Sequence, residues 1–238
     1  MKRLDLSLGD PAADLALDEA LLLQAEAGQL GETLRLWQFD RPVVVIGRGS
    51  KIENEAVADR CRAAAVPVLR RCSGGAAILA GPGCLMYSVV LSLTLRPALR
   101  QVDLAHSFVM QRLLTAVRGQ LPAVQWQGTC DLTFGDRKFS GNSLRIARHH
   151  LLYHGTILYA ADLDRIDRCL GTPPRQPDYR GNRRHADFIT NVPIDPDRLR
   201  AQIATAFAAT EPLTAWPIDE VRRLRCERYD DPAWHQRH

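Results

Sequence analysis

The sequence predicts an α+β fold in which mixed and antiparallel sheets are flanked by helices. Short segments rich in β-branched residues predict strands, and longer segments with apolar residues at helical spacing predict helices. Their order mixes hairpins with helices instead of alternating strictly, which favours α+β over a doubly wound sheet. With 238 residues and 46% hydrophobic composition, the chain can bury one sizeable core. We therefore expect one main domain, residues 1–215, and a short helical tail, residues 216–238.

The first predicted helix covers Ala12–Ala25, where leucines and alanines recur at helical spacing after Pro11, with charged residues between them, as in an amphipathic helix. Asn54–Ala65 and Asp103–Val117 show a similar spacing, and Asp219–Tyr229 is long enough for a helix in the tail. The predicted strands are Leu34–Phe39, Val43–Ile46, Val66–Leu69, Ala77–Leu79, Cys84–Leu95, Leu132–Phe134, Lys138–Ser140 and Leu151–Tyr159.

Composition and charge narrow the class of protein. No apolar run is long enough to span a bilayer, and Asp5 and Asp10 interrupt the N-terminal segment, so we expect a cytoplasmic protein with no membrane partner. The six cysteines form no CxxC pair, which argues against structural zinc. The net charge is +4, with clustered arginines but no interleaved aromatic residues, so nucleic acid is not an expected partner. A small anion or an acidic protein fits better.

The first motif, Arg70–Ala76, reads RRCSGGA and follows an apolar strand. Its serine and glycines let the backbone approach a ligand closely, and the paired arginines could hold an anion. Because side chains alternate along a strand, we expect only one of the two arginines to face that ligand. The alternative is an exposed turn with two solvated arginines.

The second motif, Gly128–Ser143, predicts a hairpin that turns at Gly135-Asp136, with Lys138 just after the turn. A lysine there can neutralise a carboxylate or a phosphate, and the small residues that follow leave room for a ligand. Asp131 would fit beside an anion if a magnesium ion lay between them. The alternative is that Lys138 is one more exposed charge on an edge strand.

The third motif, His149–Tyr159, predicts a strand in which His154 shares a face with Leu152 and Thr156. Gly155 permits close approach of the backbone. A hydrogen-bonded structural role for His154 is the alternative to a functional one.

Together with the segment LALDEALL at Leu15–Leu22, these motifs in this order resemble the lipoate-protein ligase A family of the biotin and lipoate ligase superfamily. The segment PVVVIGR at Pro42–Arg48 and the dipeptide Thr190-Asn191 extend the resemblance, which covers about Leu4–Val192. The resemblance implies a catalytic domain of the biotin and lipoate ligase type, without the separate accessory domain of longer ligases.

The resemblance also implies a reaction. ATP and lipoate, or octanoate, would form an acyl-adenylate, and a lysine of a lipoyl domain or of a glycine-cleavage-H-like carrier protein would then attack it. Lys138 is the implied central lysine and Asp131 the implied magnesium ligand. The implied acyl and nucleotide site comprises Arg70, Arg71, Ser73, Gly74, Gly75, Ala76, Ser140, Gly141, Asn142, His154, Gly155 and Thr156.

Three positions depart from the family pattern: Ala76 replaces a glycine, Ala80 a histidine and Cys130 an asparagine. One alternative is therefore a lipoyl or octanoyl transferase that uses Cys130 as nucleophile, with a pKa lowered by Lys138 and the arginines. Biotin ligase is a further alternative. A third is a non-catalytic member that binds lipoyl carriers or a partner ligase subunit. The missing accessory domain also raises the possibility of a separate accessory subunit.

Overall fold

The computed structural model describes residues 1–237, which form two sheets and nine α-helices. The strands are β1 (Lys2–Asp5), β2 (Thr33–Trp37), β3 (Val43–Ile46), β4 (Val68–Arg70), β5 (Ile78–Ala80), β6 (Cys84–Ser92), β7 (Gln125–Gln127), β8 (Asp131–Phe134), β9 (Arg137–Ile146), β10 (His150–Leu158) and β11 (Glu211–Pro212). The helices are α1 (Pro11–Glu26), α2 (Ile52–Glu55), α3 (Ala58–Ala63), α4 (Val102–Arg118), α5 (Leu163–Cys169), α6 (His185–Phe188), α7 (Pro196–Ala206), α8 (Ile218–Leu224) and α9 (Pro232–Gln236). None of the helices within residues 1–237 is long and apolar enough to cross a membrane.

The large sheet has the strand order β11-β1-β2-β6-β10-β9-β8-β7, and the small sheet has the order β4-β3-β5. Parallel pairs join β1 to β2 and β3 to β4, whereas the centre of the large sheet is antiparallel. The predicted α+β class with mixed sheets and flanking helices is confirmed.

A row of polar residues crosses the centre of the large sheet. Arg35 on β2 lies opposite Ser88 on β6, Ser88 lies opposite His154 on β10, and His154 lies opposite Ser143 on β9. Directly opposed residues of antiparallel strands project to the same face. We call Arg35, Ser88, His154 and Ser143 the polar row.

Helix α1 begins at Pro11, where the Asp10 side chain accepts a hydrogen bond from the Ala12 amide. The expected amphipathic pattern is wrong, because α1 is buried on nearly every side between the large sheet and the tail. Three acidic residues, Asp14, Asp18 and Glu19, are therefore enclosed with it. Buried carboxylates need partners, and the polar row supplies those of Asp14 and Asp18.

The predicted helix Asn54–Ala65 is two short helices, α2 and α3. Between them, Ala56 is extended and bridges to Leu170, while the Glu55 carboxylate accepts a hydrogen bond from the Ala77 amide. These tertiary contacts interrupt the helix.

The tail packs against α1 and β4. The outer edge of β4 has no neighbouring strand, and two tail side chains satisfy its backbone. The Arg70 amide donates to Nδ1 of His235, and Nε1 of Trp234 donates to the Arg70 carbonyl. The tail is thus an integral part of the small sheet's packing.

Candidate active site

A cavity lies between α1, the large sheet and the β4–β5 connection. Its apolar wall includes Leu15, Trp37, Val45, Ile78 and Met86. Eight residues predicted from the sequence line it: Arg71, Ala76, Lys138, Gly141, Asn142, His154, Gly155 and Thr156. The structure therefore brings all three sequence motifs to one place.

A second cavity adjoins the first. The two share Ala76, Lys138, Gly141 and Thr156 among their lining residues. The second cavity also includes the predicted residue Ser140 and is closed by residues from α5, α6 and the segment between them. Lys138 therefore lies on the wall common to both spaces.

Lys138 is partly open to solvent, since its side chain is 29% exposed, and its ammonium lies 2.7 Å from Oδ1 of Asp131. The side chain folds back over Gly141, where an added Cβ would lie 2.8 Å from Nζ. Because residue 141 is a glycine, the space that a Cβ would fill is open to the Lys138 side chain. A similar argument holds for Gly155, whose Cβ would overlap the Asn142 side chain at 1.8 Å.

Both carboxylate oxygens of Asp131 have side-chain partners in this structure. Oδ1 pairs with Lys138 and Oδ2 accepts a hydrogen bond of 2.7 Å from the Tyr179 hydroxyl. Across the part of the chain that the structure describes, no group of three or more metal-ligating side chains occurs. The role of Asp131 as a magnesium ligand stays a prediction.

Arg71 lines the first cavity, but its guanidinium is already occupied. It donates to the Ser73 hydroxyl and to the carbonyls of Val45, Gly74 and Ala76. Burial lowers the pKa of Arg71 to about 10, which still leaves it charged at neutral pH. Arg71 thus stabilises the turn, and its guanidinium is not free to bind an anion through two parallel hydrogen bonds.

Arg70 is not brought to the cavity, contrary to its predicted role in anion binding. It is fully buried on the other side of β4, where its guanidinium donates to carbonyls of the Gly47–Ser50 loop and of Trp234, His235 and Arg237. Half of these backbone acceptors belong to the loop and half to the tail, which lie far apart in the sequence, so sequence alone could not place them. Gly74 and Gly75 line a neighbouring surface cleft instead of the first cavity.

The most extensive hydrogen-bond network of the cavity centres on Asp18. Its carboxylate accepts from Arg35 at 2.8 Å, from Ser88 at 2.6 Å and from Nδ1 of His154 at 3.0 Å. The other ring nitrogen of His154, Nε2, lies 2.6 Å from Oγ of Ser73. Burial opposes ionisation of Asp18, but the bonds from His154 and Arg35 outweigh it and lower the pKa of the carboxyl.

Cys130 does not have the expected activated thiol. It lies outside the first cavity's lining, and its Sγ donates to the carbonyl of Asn142. Burial and the adjacent Asp131 raise its pKa to about 11, against a smaller opposing effect of Lys138. The predicted lowering of this pKa is wrong, because the carboxylate and the apolar surroundings outweigh the lysine.

Sequence reasoning missed several residues of the site. Asp18 stood within the LALDEALL segment but was given no role, and Ser143 was named only as the end of its motif. Arg180 was noted only as part of an arginine cluster, yet it is buried beside the second cavity and its Nη2 has no hydrogen-bond partner among residues 1–237. A charged residue inside an apolar helical run is the signal that could have identified Asp18.

The fold and the site define a class of acyl-handling catalytic domains, and comparison with known proteins identifies it. The lipoyl protein ligase A/B catalytic domain family matches residues 10–208. The chain belongs to this family.

Relatives include both ligases and transferases. Lipoate–protein ligase 1 of Staphylococcus aureus is 23% identical over 96% of this chain and 70% of that protein. Octanoyltransferase LipM of Halalkalibacterium halodurans is 22% identical over 96% of this chain and 95% of that protein. The chain spans between 46% and 70% of the length of the lipoate ligases it matches in sequence.

Solved structures share the fold. A bi-partite lipoate protein ligase from Thermoplasma acidophilum, studied with its E2 lipoyl domain, superposes with a TM-score of 0.80 at 21% identity, covering 99% of this chain and 95% of that one. A lipoate-protein ligase A bound with ATP superposes with a TM-score of 0.79 at 20% identity, covering 99% of this chain and 98% of that one.

Proposed function

We propose that the protein is a lipoate-protein ligase, which activates lipoate with ATP and transfers the lipoyl group to a lysine of a lipoyl carrier protein. The observation that carries the proposal is the position of Lys138 on the shared wall of two adjoining cavities. An enzyme that joins an acyl carboxylate to a nucleotide phosphate must bring two anions together at one point.

The two cavities differ in a way that suits the two substrates. The first has a wall of aliphatic and aromatic side chains, which fits the dithiolane ring and carbon chain of lipoate. The second is lined by the cations Arg175 and Arg180, and guanidinium groups suit the phosphates of a nucleotide. The ATP-bound relative supports ATP as the second substrate.

Lys138 supplies the charge at the junction. A carboxylate is unreactive towards amines, so adenylation gives it a leaving group. During that step the carboxylate and the α-phosphate repel each other, and an ammonium between them stabilises the developing charge. The partly exposed Lys138 can exchange its Asp131 partner for these anions.

The carrier is proposed to be a lipoyl domain or a glycine-cleavage-H-like protein, by analogy with the E2 lipoyl domain studied with the Thermoplasma ligase. That ligase is bi-partite. Comparing the reaction with and without an added accessory subunit tests whether this chain also needs a second subunit to activate lipoate.

The test is incubation with ATP, magnesium, lipoate and an apo lipoyl domain, followed by intact mass measurement of the domain. We expect a mass gain of one lipoyl group that requires ATP, and pyrophosphate exchange when the carrier is left out. Lys138→Ala is the matched inactive control. ATP-independent modification from an acyl-carrier thioester would contradict the proposal.

A transferase is a second candidate, because the match to the LipM octanoyltransferase covers nearly all of that protein's length. The raised pKa of Cys130 counts against it as the nucleophile. Incubation with an octanoyl thioester, followed by peptide mass mapping, distinguishes the two, since only the transferase leaves an acyl group on an enzyme side chain.

A further inference from the structure

Asp18, His154, Ser73 and Ser143 form a hydrogen-bonded chain beside the first cavity, and all of them except Ser73 line it. Asp18 lies 3.0 Å from Nδ1 of His154, and Nε2 of His154 lies 2.6 Å from Oγ of Ser73. Oγ of Ser73 lies 3.2 Å from Oγ of Ser143, which lines the cavity. Resting on the ligase function proposed above, we infer that this chain accepts the proton that the carrier lysine releases when it attacks the acyl-adenylate.

The donors and acceptors of the chain fix its direction. Asp18 is ionised, so it accepts from Nδ1 of His154, and a ring that carries its one proton there leaves Nε2 as an acceptor. Ser73 receives the Nε–H of Arg71, which can only donate. Ser73 therefore donates its own proton to His154 and has a lone pair left to accept one from Ser143. The Ser143 hydroxyl also lies 2.8 Å from the carbonyl of Gly74, so its proton can turn between that carbonyl and Ser73. Each hydroxyl can pass a proton inward.

The fold holds this chain rigidly. His154 and Ser143 are directly opposed on β10 and β9, and Asp18 is fixed by Arg35 and Ser88. Ser73 and His154 are both buried, whereas Ser143 is partly exposed. Ser143 is therefore the member of the chain that is most open to a substrate.

Other titratable groups at the cavity do not suit this role. Four line it: Asp18, Arg71, Lys138 and His154. Arg71 and Lys138 are cations that lack an acceptor, and the lowered pKa makes Asp18 a weak base. His154 is the remaining group, and its ring pairs with Asp18 from α1, with Arg35 behind that carboxylate on β2 and Lys138 across the cavity on β9.

The neutral amine of the carrier lysine forms a C–N bond to the acyl carbon, and the C–O bond to the phosphate breaks. The electron pair of that bond leaves with AMP. The proton of the attacking nitrogen passes to Ser143, while Ser143 passes its own to Ser73 and Ser73 passes its own to Nε2 of His154. The imidazolium formed is stabilised by Asp18.

The test uses chemically prepared lipoyl-adenylate, so that ATP-dependent activation is bypassed. Two acceptors are compared: an apo lipoyl domain, and hydroxylamine, a much weaker base whose nitrogen, once bonded to the acyl carbon, loses its proton readily to water without a general base. Ser143→Ala should slow transfer to the domain about tenfold or more, and His154→Gln about a hundredfold, while enzyme-dependent hydroxamate formation changes little. Ser143→Thr keeps the hydroxyl and should restore transfer.

Ser50→Ala is the matched control, because Ser50 also donates to a carbonyl of the glycine turn but is not joined to His154. It should leave both acceptors unaffected. Equal losses with both acceptors in Ser143→Ala, or no loss with either, would overturn the inference. So would an acyl group found on Ser73, or a wild-type protein that cannot use supplied adenylate. Pyrophosphate exchange with ATP and lipoate reports the proposed ligase function separately.

Discussion

Lys138 and the Arg70-Arg71 pair were assigned to one anion site by the sequence, and the structure places them in contrasting surroundings. The arginines are buried, and each guanidinium donates to several backbone carbonyls. Lys138 is partly exposed and has one carboxylate partner. A cation can bind a ligand when its existing partners are few and replaceable, and this depends on which carbonyls the fold assembles around it.

The largest effect that would test this contrast is on Lys138. Lys138→Ala should lower lipoyl transfer by roughly a hundredfold or more, because it removes the charge that stabilises adenylate formation. The melting temperature should change little, since the side chain is partly exposed. Lys2→Ala, at an exposed lysine of β1 that lines neither cavity, is the control. Near-normal transfer by Lys138→Ala would remove Lys138 from the centre of the mechanism.

Arg71→Lys is expected to have the next largest effect on activity. A lysine can replace some of the donors of Arg71 but not its planar fork, so the turn from Ser73 to Ala76 loses part of its support. We expect kcat/KM to fall about tenfold, with a smaller change in stability. An unchanged kcat/KM would show that the turn keeps its position without the planar guanidinium of Arg71.

The same substitution at Arg70 should affect stability instead. Arg70→Lys leaves buried carbonyls of the Gly47–Ser50 loop and the tail without donors, which should lower the free energy of unfolding by roughly 2 kcal/mol. Urea denaturation measures this change. The kcat/KM of the folded protein should stay within about twofold of wild type. A loss of activity like that of Arg71→Lys would contradict the division of roles between the two residues.

Cys130→Ser should have the smallest effect, within about twofold on ATP-dependent transfer. Because the pKa of the thiol is raised to about 11, Cys130 is almost entirely protonated at neutral pH. Its alkylation should be slow and should accelerate about tenfold per pH unit below that value. Iodoacetamide kinetics in a Cys226→Ser background measure this, since Cys226 is exposed. Rapid alkylation at neutral pH would favour the transferase alternative.

Local patterns were sufficient for some elements of the fold. Val43–Ile46 is a strand with the predicted bounds, because four β-branched residues stand between Pro42 and Gly47. The helix predicted at Asp103–Val117 extends by one residue at each end. Elements that depend on distant partners were missed, such as β1, which pairs with β2 and β11.

The site also has residues that local motifs predict and residues that depend on distant partners. The three motifs identified half of the residues that line the first cavity, because each carries its own glycine and polar signal. Strand β9 was predicted to end at Ser140 but continues to Ile146, since its small polar residues pair with β10. That register, which no local pattern encodes, is what places Ser143 opposite His154. Likewise, only the folded tail shows why Arg70 is unavailable to a ligand.

The contacts that His235 and Trp234 make with the outer edge of β4 have a consequence for the behaviour of the protein at high concentration. Two side chains there occupy the backbone groups that a neighbouring strand would otherwise bind. Open strand edges promote aggregation between molecules. Proteolytic loss of the last helix would expose this edge, so a clipped chain should self-associate, and light scattering of a preparation would then report the integrity of its C-terminus.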